Sequence, residues 1–83
     1  MAKSIHQDDY RILVKRLRNL RKNARVTQEE LALSLGVEQS YISKVERYER
    51  RIDVIELRDI CRALGTSLSS FVSGFEEQLA GQE

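Results

Sequence analysis

The sequence predicts a small all-α domain made of five short helices. Three observations predict it: leucine, isoleucine and valine recur at spacings of three and four residues, the 83 residues include no proline, and glycines stand where helical segments would end. Glycine readily adopts the left-handed conformation that ends many helices, so Gly36 and Gly65 are expected just beyond helix ends. A chain of this length holds one domain with a modest core.

The first helix is predicted from about Asp9 to Asn23, with Asp8 as its N-cap, because apolar residues recur there at helical spacing with basic residues between them. We interpret residues 1–8 as a flexible leader, residues 9–79 as the folded domain and residues 80–83 as a frayed tail. The other predicted helices cover about residues 28–35, 39–47, 53–64 and 67–79.

The segment from Gln28 to Arg47 has the pattern of two short helices that cross at a tight turn. Leu31 and Leu35 lie one turn apart on the inner face of the first of these helices. Ala32 is small enough for the two helix axes to approach each other, and Gly36 ends the first helix. The segment therefore predicts a helix-turn-helix, which is a DNA-binding motif.

A capping box strengthens this interpretation. Thr27 precedes the first helix of the motif and Glu30 follows three residues later, so that each side chain can bond the backbone amide of the other residue. An ordinary helical hairpin is the alternative, but the number of coinciding requirements favours the helix-turn-helix.

From about Tyr10 to Val72, the sequence resembles the XRE family of bacterial and phage regulators, which includes lambdoid repressors and Cro proteins. Besides the motif, the resemblance rests on Arg21 before it, Gln28 at its start, Glu46 near its end and the later helix DVIELRDICRALG. It implies a five-helix lambda-repressor-like domain that binds double-stranded DNA in a sequence-specific way. Arg21 and Glu46 occupy positions that pair in such repressors, which implies an ion pair that orients the second helix of the motif.

The polar face of that second helix supplies the candidates for reading bases. Gln39 suits bidentate pairing with adenine, and family proteins read bases from the matching position. Lys44 lies on the same face, where a lysine can donate to guanine. The predicted base-reading residues are Gln39, Ser40, Ser43 and Lys44.

Residues around this face are candidates for contacting DNA phosphates. Gln28 begins a helix whose free amides favour an anion, and the family uses the position of Thr27 near phosphate as well. Tyr41 has two open interpretations, a contact with the DNA backbone or partial burial against the fourth helix. The predicted phosphate-binding residues are Thr27, Gln28, Tyr41, Arg47, Arg50 and Arg51.

Position 48 departs from the family pattern. Many members have glycine two residues after Glu46, whereas this chain has Tyr48. If that position requires a positive φ, tyrosine is strained there, so either the loop takes another path or the ring makes contacts that offset the cost.

The last helix supplies candidates for a dimer interface, namely Phe71, Phe75 and Leu79. Exposed apolar groups on a small domain often mark an interface, although these residues could equally close the core of the monomer. A two-fold dimer would place two recognition helices about one DNA turn, roughly 34 Å, apart, which predicts a palindromic operator and a repressor that acts as a homodimer.

The formal net charge is only +1, but the charge is unevenly distributed. Residues 1–25 carry eight Lys or Arg and two Asp, a net charge of +6, so the remainder carries −5. This asymmetry fits one basic face beside the recognition helix, although an arginine-rich solvated helix would give the same count.

Composition also excludes several classes of protein. The single cysteine, Cys61, lies in an apolar helix pattern, and His6 stands alone in a polar segment, so we expect no disulfide, metal or cofactor. No nucleophile, base and acid cluster together, and no apolar run could span a membrane, so we expect a cytoplasmic protein that is not an enzyme. The alternatives are an antitoxin, which would bind a partner toxin as well as its own promoter, and an adaptor that has lost DNA binding; a co-regulator is a further possible partner.

Overall fold

The computed structural model describes residues 2–81 and contains five α-helices in that range, with no strand. The all-α prediction is therefore confirmed. The helices are α1 (Ala2–Asn23), α2 (Gln28–Leu35), α3 (Gln39–Glu46), α4 (Val54–Ala63) and α5 (Leu68–Ala80).

Three helices begin with a side chain that caps the first turn. The Thr27 hydroxyl accepts from the Glu30 amide, and the Glu30 carboxylate accepts from the Thr27 amide, which completes the predicted capping box. Asp53 and Glu56 form the same reciprocal pair at the start of α4, and the Ser67 hydroxyl caps α5. These bonds satisfy helix-end amides that would otherwise lack partners.

Four helices end in the same way, with a residue of positive φ just beyond the helix. At each end the next amide reaches back five residues along the chain, as Glu49 does to the Lys44 carbonyl and Val37 to the Ala32 carbonyl, which is a Schellman motif. The residues of positive φ are Arg25, Gly36, Tyr48 and Gly65. Two of these ends therefore use glycine as predicted, and the other two place a larger residue in the left-handed region.

The core lies among the five helices, where α2 packs against α3 and α4, and α5 packs against α1 and α4. Its buried apolar side chains are Val14, Leu17, Leu31, Ala32, Ile42, Val45, Leu57, Ile60, Cys61, Leu64 and Phe71. Ala32 sits between α2 and its neighbours as the crossing geometry requires. Burial raises the pKa of the Cys61 thiol, which favours the neutral thiol expected of a small core residue.

The structure corrects two local predictions. α1 begins at Ala2 rather than near Asp9, and Asp8 lies inside the helix instead of capping it, because no proline or glycine interrupts residues 2–9. α3 ends at Glu46, one residue early, with Arg47 as its C-cap.

The remaining boundaries agree closely with expectation. α5 reaches Ala80, the first residue of the segment predicted to fray, while Gln82 and Glu83 of that segment lie outside the described residues, as does Met1 of the leader. The division of the chain into a leader, a domain and a tail stays a prediction.

The positive φ of Tyr48 leads to a testable prediction about stability. We expect Tyr48→Gly to have a free energy of unfolding about 1 kcal/mol higher than that of Tyr48→Ala, because both variants lack the ring and only glycine adopts positive φ without a steric cost. Urea denaturation of the two variants measures the difference. At Glu76, inside α5, the same comparison should have the opposite sign. Equal stabilities of the two Tyr48 variants would contradict the prediction.

Candidate nucleic-acid interface

A buried ion pair joins α1 to the end of α3. The Arg21 guanidinium donates through Nε to Glu46 Oε2 at 2.6 Å and through Nη2 to Oε1 at 3.0 Å, and its Nη1 donates to the Val26 carbonyl at 2.7 Å. Arg21 is only 7% exposed, and so is the Glu46 side chain. The pairing that the family resemblance implied is therefore present, and it ties α3 to α1.

Two glutamine side chains extend this pair to the start of α3. Gln28 Nε2 donates to Glu46 Oε1 at 2.9 Å, and Gln39 Nε2 donates to Gln28 Oε1 at 2.8 Å. An ionised carboxylate can only accept, so Glu46 requires the amide nitrogen of Gln28 to face it. The Gln28 oxygen must then face Gln39, and this order sets which way the Gln39 amide points.

The four predicted base-reading residues lie on or beside the outer face of α3. Gln39, Ser40 and Lys44 are exposed and Ser43 is half-buried, while Ile42 and Val45 point into the core. The surface is thus a strip of hydrogen-bonding groups on a helix whose opposite side is fixed by packing. A helix of this kind can enter the major groove with its polar side facing the base edges.

The predicted phosphate ligands near α2 have partners within the protein. The Thr27 hydroxyl is used for capping. The Gln28 amide bonds to Glu46 and Gln39, and sequence reasoning did not anticipate this role because it depends on the approach of α3. One N–H of the Gln28 amide remains for another acceptor, and a phosphate contact by Gln28 stays a prediction.

The loop between α3 and α4 is ordered by contacts between arginine and tyrosine. The Arg50 guanidinium lies 4.4 Å from the centre of the half-buried Tyr41 ring and also bonds to Glu56 on α4. Burial, followed by the nearby Glu56 carboxylate, raises the pKa of the Tyr41 hydroxyl. The hydrogen bond from the Asp53 amide, followed by that from Arg50, lowers the pKa of Glu56. Tyr41 therefore lies against the start of α4, and a phosphate contact by its hydroxyl stays a prediction.

The same loop also contacts α1. Arg11 stacks on the Tyr48 ring at 4.6 Å, and Arg51 stacks on the Tyr10 ring at 4.4 Å. The Tyr48 backbone adopts the left-handed conformation, and its ring contacts Arg11. Of the two interpretations of position 48, this arrangement agrees with the one in which contacts of the ring offset the backbone strain. Sequence reasoning did not identify Tyr10 or Arg11, because nothing local in the sequence shows that α1 faces this loop.

Arg47, at the end of α3, is also on the surface. Arg47 donates to Glu49 at 3.1 Å, and both side chains are more than half exposed, so this ion pair opens at little cost when another anion is present.

The predicted dimer residues differ in their burial. Phe71 is only 4% exposed and belongs to the core cluster, and the guanidinium of Arg16 on α1 lies 5.9 Å from the centre of its ring. Phe75 and Leu79 are half-buried. Of the three candidates, Phe75 and Leu79 therefore offer apolar surface to a partner, whereas Phe71 stabilises the monomer.

The described helices include none that is long and apolar enough to cross a membrane. Among residues 2–81, no three His, Cys, Asp or Glu side chains come together in a way that could hold a metal ion.

Two helices that meet at Gly36, with a polar outer face on the second, define a helix-turn-helix DNA-binding protein. A helix-turn-helix family model matches residues 17–71. The chain belongs to the XRE family of helix-turn-helix transcriptional regulators, and it is therefore a DNA-binding regulator of transcription.

Several proteins show this relationship in detail. The chain is 38% identical over 58 residues to an uncharacterized HTH-type transcriptional regulator, y4dJ, of Sinorhizobium fredii, a match that covers 70% of this chain and 75% of that protein. It is 34% identical over 62 residues to the control protein C.SmaI of Serratia marcescens, covering 75% and 74%.

Solved structures agree with these sequence matches. An XRE-family like protein from Pseudomonas syringae pv. tomato is 44% identical and superposes with a TM-score of 0.88 over 93% of this chain and 94% of that chain. The clp gene regulator ClgR from Corynebacterium glutamicum is 30% identical, with a TM-score of 0.76 over 89% and 79%.

Proposed function

We propose that this protein is a repressor that acts in the cytoplasm as a homodimer on a palindromic operator, with α3 in the major groove of each half-site. The hydrogen-bonded series Arg21–Glu46–Gln28–Gln39 is the observation that carries the proposal. It orients an amide at the exposed start of α3 before any DNA is bound, and preorganised groups lose less entropy on binding.

Gln39 is the residue we assign to adenine. One N–H of its amide is used by Gln28, which leaves the second N–H and the carbonyl oxygen free. Adenine presents an acceptor at N7 and a donor at N6, so the free N–H and the oxygen match both groups. Lys44, one turn after Ser40 on α3, is placed to donate to guanine, and Ser40 and Ser43 supply shorter hydroxyl contacts.

The phosphate contacts position this helix without reading sequence. We assign them to the first turn of α2, with Thr27 and Gln28, and to the region after α3. The residues of that second region are Tyr41, Arg47, Arg50 and Arg51. Arg51 is exposed and stacks on a tyrosine ring, so the edge of its guanidinium can donate to a phosphate oxygen, whereas Arg50 would share its donors between Glu56 and a phosphate.

Dimerisation is assigned to α5 through Phe75 and Leu79. Their half-buried side chains give α5 an apolar strip that a second copy can cover. A two-fold axis would repeat α3 about 34 Å away, one helical turn of DNA, so the operator should be palindromic. Bound across a promoter, such a dimer would exclude polymerase.

We expect Gln39→Ala and Lys44→Ala each to weaken binding to the cognate operator by about 1 to 3 kcal/mol and to relax the preference at one base pair. The reason is that each variant loses a contact with a base edge while the phosphate contacts remain. Fluorescence anisotropy with the operator and with duplexes altered at single positions measures both effects. Arg58→Ala, at an exposed position of α4, is the matched control. Equal weakening on every duplex would rule out Gln39 and Lys44 as base readers.

A selection from genomic fragments with the purified protein tests the proposal as a whole. It should return a palindrome with half-sites about 10 base pairs apart from centre to centre. A reporter gene placed behind the selected site should be less active when the protein is expressed. Enriched sites without two-fold symmetry would contradict the dimer, and a reporter that becomes more active would contradict repression.

A further inference from the structure

Four basic residues form a continuous stripe along α1. Arg11, Lys15, Arg18 and Lys22 are separated by four, three and four residues, which places them on one face of the helix, and all four are exposed. We call this set the α1 stripe. The buried face of the helix, with Val14, Leu17 and Arg21, points elsewhere.

The α1 stripe keeps most of its positive charge. Within the described part of the chain, Arg18 is its only member within 4 Å of a carboxylate, at 3.9 Å from Glu46 Oε1. That carboxylate is already bonded twice by Arg21, so it neutralises Arg18 only slightly. The Arg18 side chain is 51% exposed. Four cations on one helix face, without matching carboxylates, form a surface that attracts anions.

The α1 stripe runs beside the base-reading helix. Arg18 approaches Glu46 at the end of α3. Gln39, Ser43 and Glu46 follow one another along α3 at spacings of four and then three residues, so they lie on the same side of that helix. At its other end, Arg11 stacks on Tyr48 in the loop after α3. The stripe therefore borders the helix-turn-helix from the end of α3 to the following loop.

The dimensions and surroundings of the α1 stripe fit a phosphodiester backbone. Eleven residues of helix span about 16 Å, a length over which a straight helix can face a few of the phosphates that one DNA strand carries about every 3.4 Å of axis. A membrane-bound helix needs an exposed apolar face beside its basic face, but the apolar face of α1 is buried in the core.

We propose that the α1 stripe is a second phosphate-binding surface, which holds the DNA backbone next to the bases contacted by α3. It supplies affinity that does not depend on sequence, and the Arg11–Tyr48 contact keeps its first member beside the loop. This inference rests on the proposed insertion of α3 into the major groove.

The test is the salt dependence of DNA binding. Lys15→Gln, Arg18→Gln and Lys22→Gln are made singly and together, while Arg11 is kept because it also contacts Tyr48. The control carries Arg58→Gln and Arg62→Gln on α4, which removes similar charge from another surface. Dissociation constants are measured for a selected operator duplex and for a scrambled duplex between about 50 and 200 mM salt, and urea denaturation checks that each variant is folded.

Each substitution in the α1 stripe should reduce the slope of log K against log salt by about 0.9, and the triple variant by roughly 2 to 3. The reduction should be the same on both duplexes, and the α4 control should keep the wild-type slope. A triple variant that is folded and has the wild-type slope would contradict phosphate binding by the α1 stripe, while the proposed function would remain intact. A wild-type protein that binds neither duplex at any salt would overturn both.

Discussion

Replacing Glu46 with alanine is expected to lower the free energy of unfolding by about 3 to 5 kcal/mol. The variant would leave the Arg21 guanidinium, in a residue only 7% exposed, with the Val26 carbonyl as its remaining acceptor. It would also remove the acceptor that orients Gln28. A charge left buried without its partner costs far more than the ion pair itself contributes. Urea denaturation without DNA measures the loss.

Two controls separate this effect from a general loss of charge. Glu49→Ala removes an acidic residue whose ion pair with Arg47 is exposed, so the change should be below about 1 kcal/mol. The double variant Arg21→Met with Glu46→Leu replaces both partners by apolar groups and should recover most of the lost stability. A loss in Glu46→Ala no larger than that in Glu49→Ala would contradict a buried ion pair.

Replacing Phe71 with alanine should cost a similar amount, about 3 to 5 kcal/mol, because it leaves a cavity in the core between α1 and α5. The loss should not depend on protein concentration, since the ring packs within one chain. Thermal unfolding at several concentrations measures this. A loss that is independent of concentration would mean that Phe71 stabilises the core of the monomer and does not belong to the dimer interface.

Phe75→Ala is the matched control, one turn further along α5. Its half-buried ring should contribute less to the stability of the monomer, whereas its loss should weaken self-association in analytical ultracentrifugation. If Phe71→Ala altered self-association and left unfolding at low concentration unchanged, the assignment of Phe71 to the core would be wrong.

Local sequence patterns predicted the elements of the helix-turn-helix well. Thr27 and Glu30 lie three residues apart, and Gly36 follows the last apolar residue of α2, so both ends of that helix are marked by groups that act over a few residues. The start of α1 was missed because it lacks such a mark. Asp8 can cap a helix, but it can also lie inside one, and the residues before it contain no helix breaker.

The candidate site was predicted in part. The exposed face of α3 follows from the period of a helix, and the structure leaves Gln39, Ser40 and Lys44 on the surface as expected. The bond from Gln39 to Gln28 joins residues eleven apart, and the stacking of Arg11 on Tyr48 joins residues much further apart. Such contacts depend on how helices pack, which no short window of sequence contains.

The sequence by itself determined the class of this protein: five helices, a glycine turn at Gly36, and a polar face on the second helix of the motif. These features follow from backbone preferences and helical periodicity, which act between neighbouring residues. Only the tertiary structure decided that Gln28 orients Gln39, that Phe71 belongs to the core, and that the basic face of α1 borders α3. Each of these facts depends on side chains from separate helices meeting at a few ångströms, and packing of the whole core sets those distances.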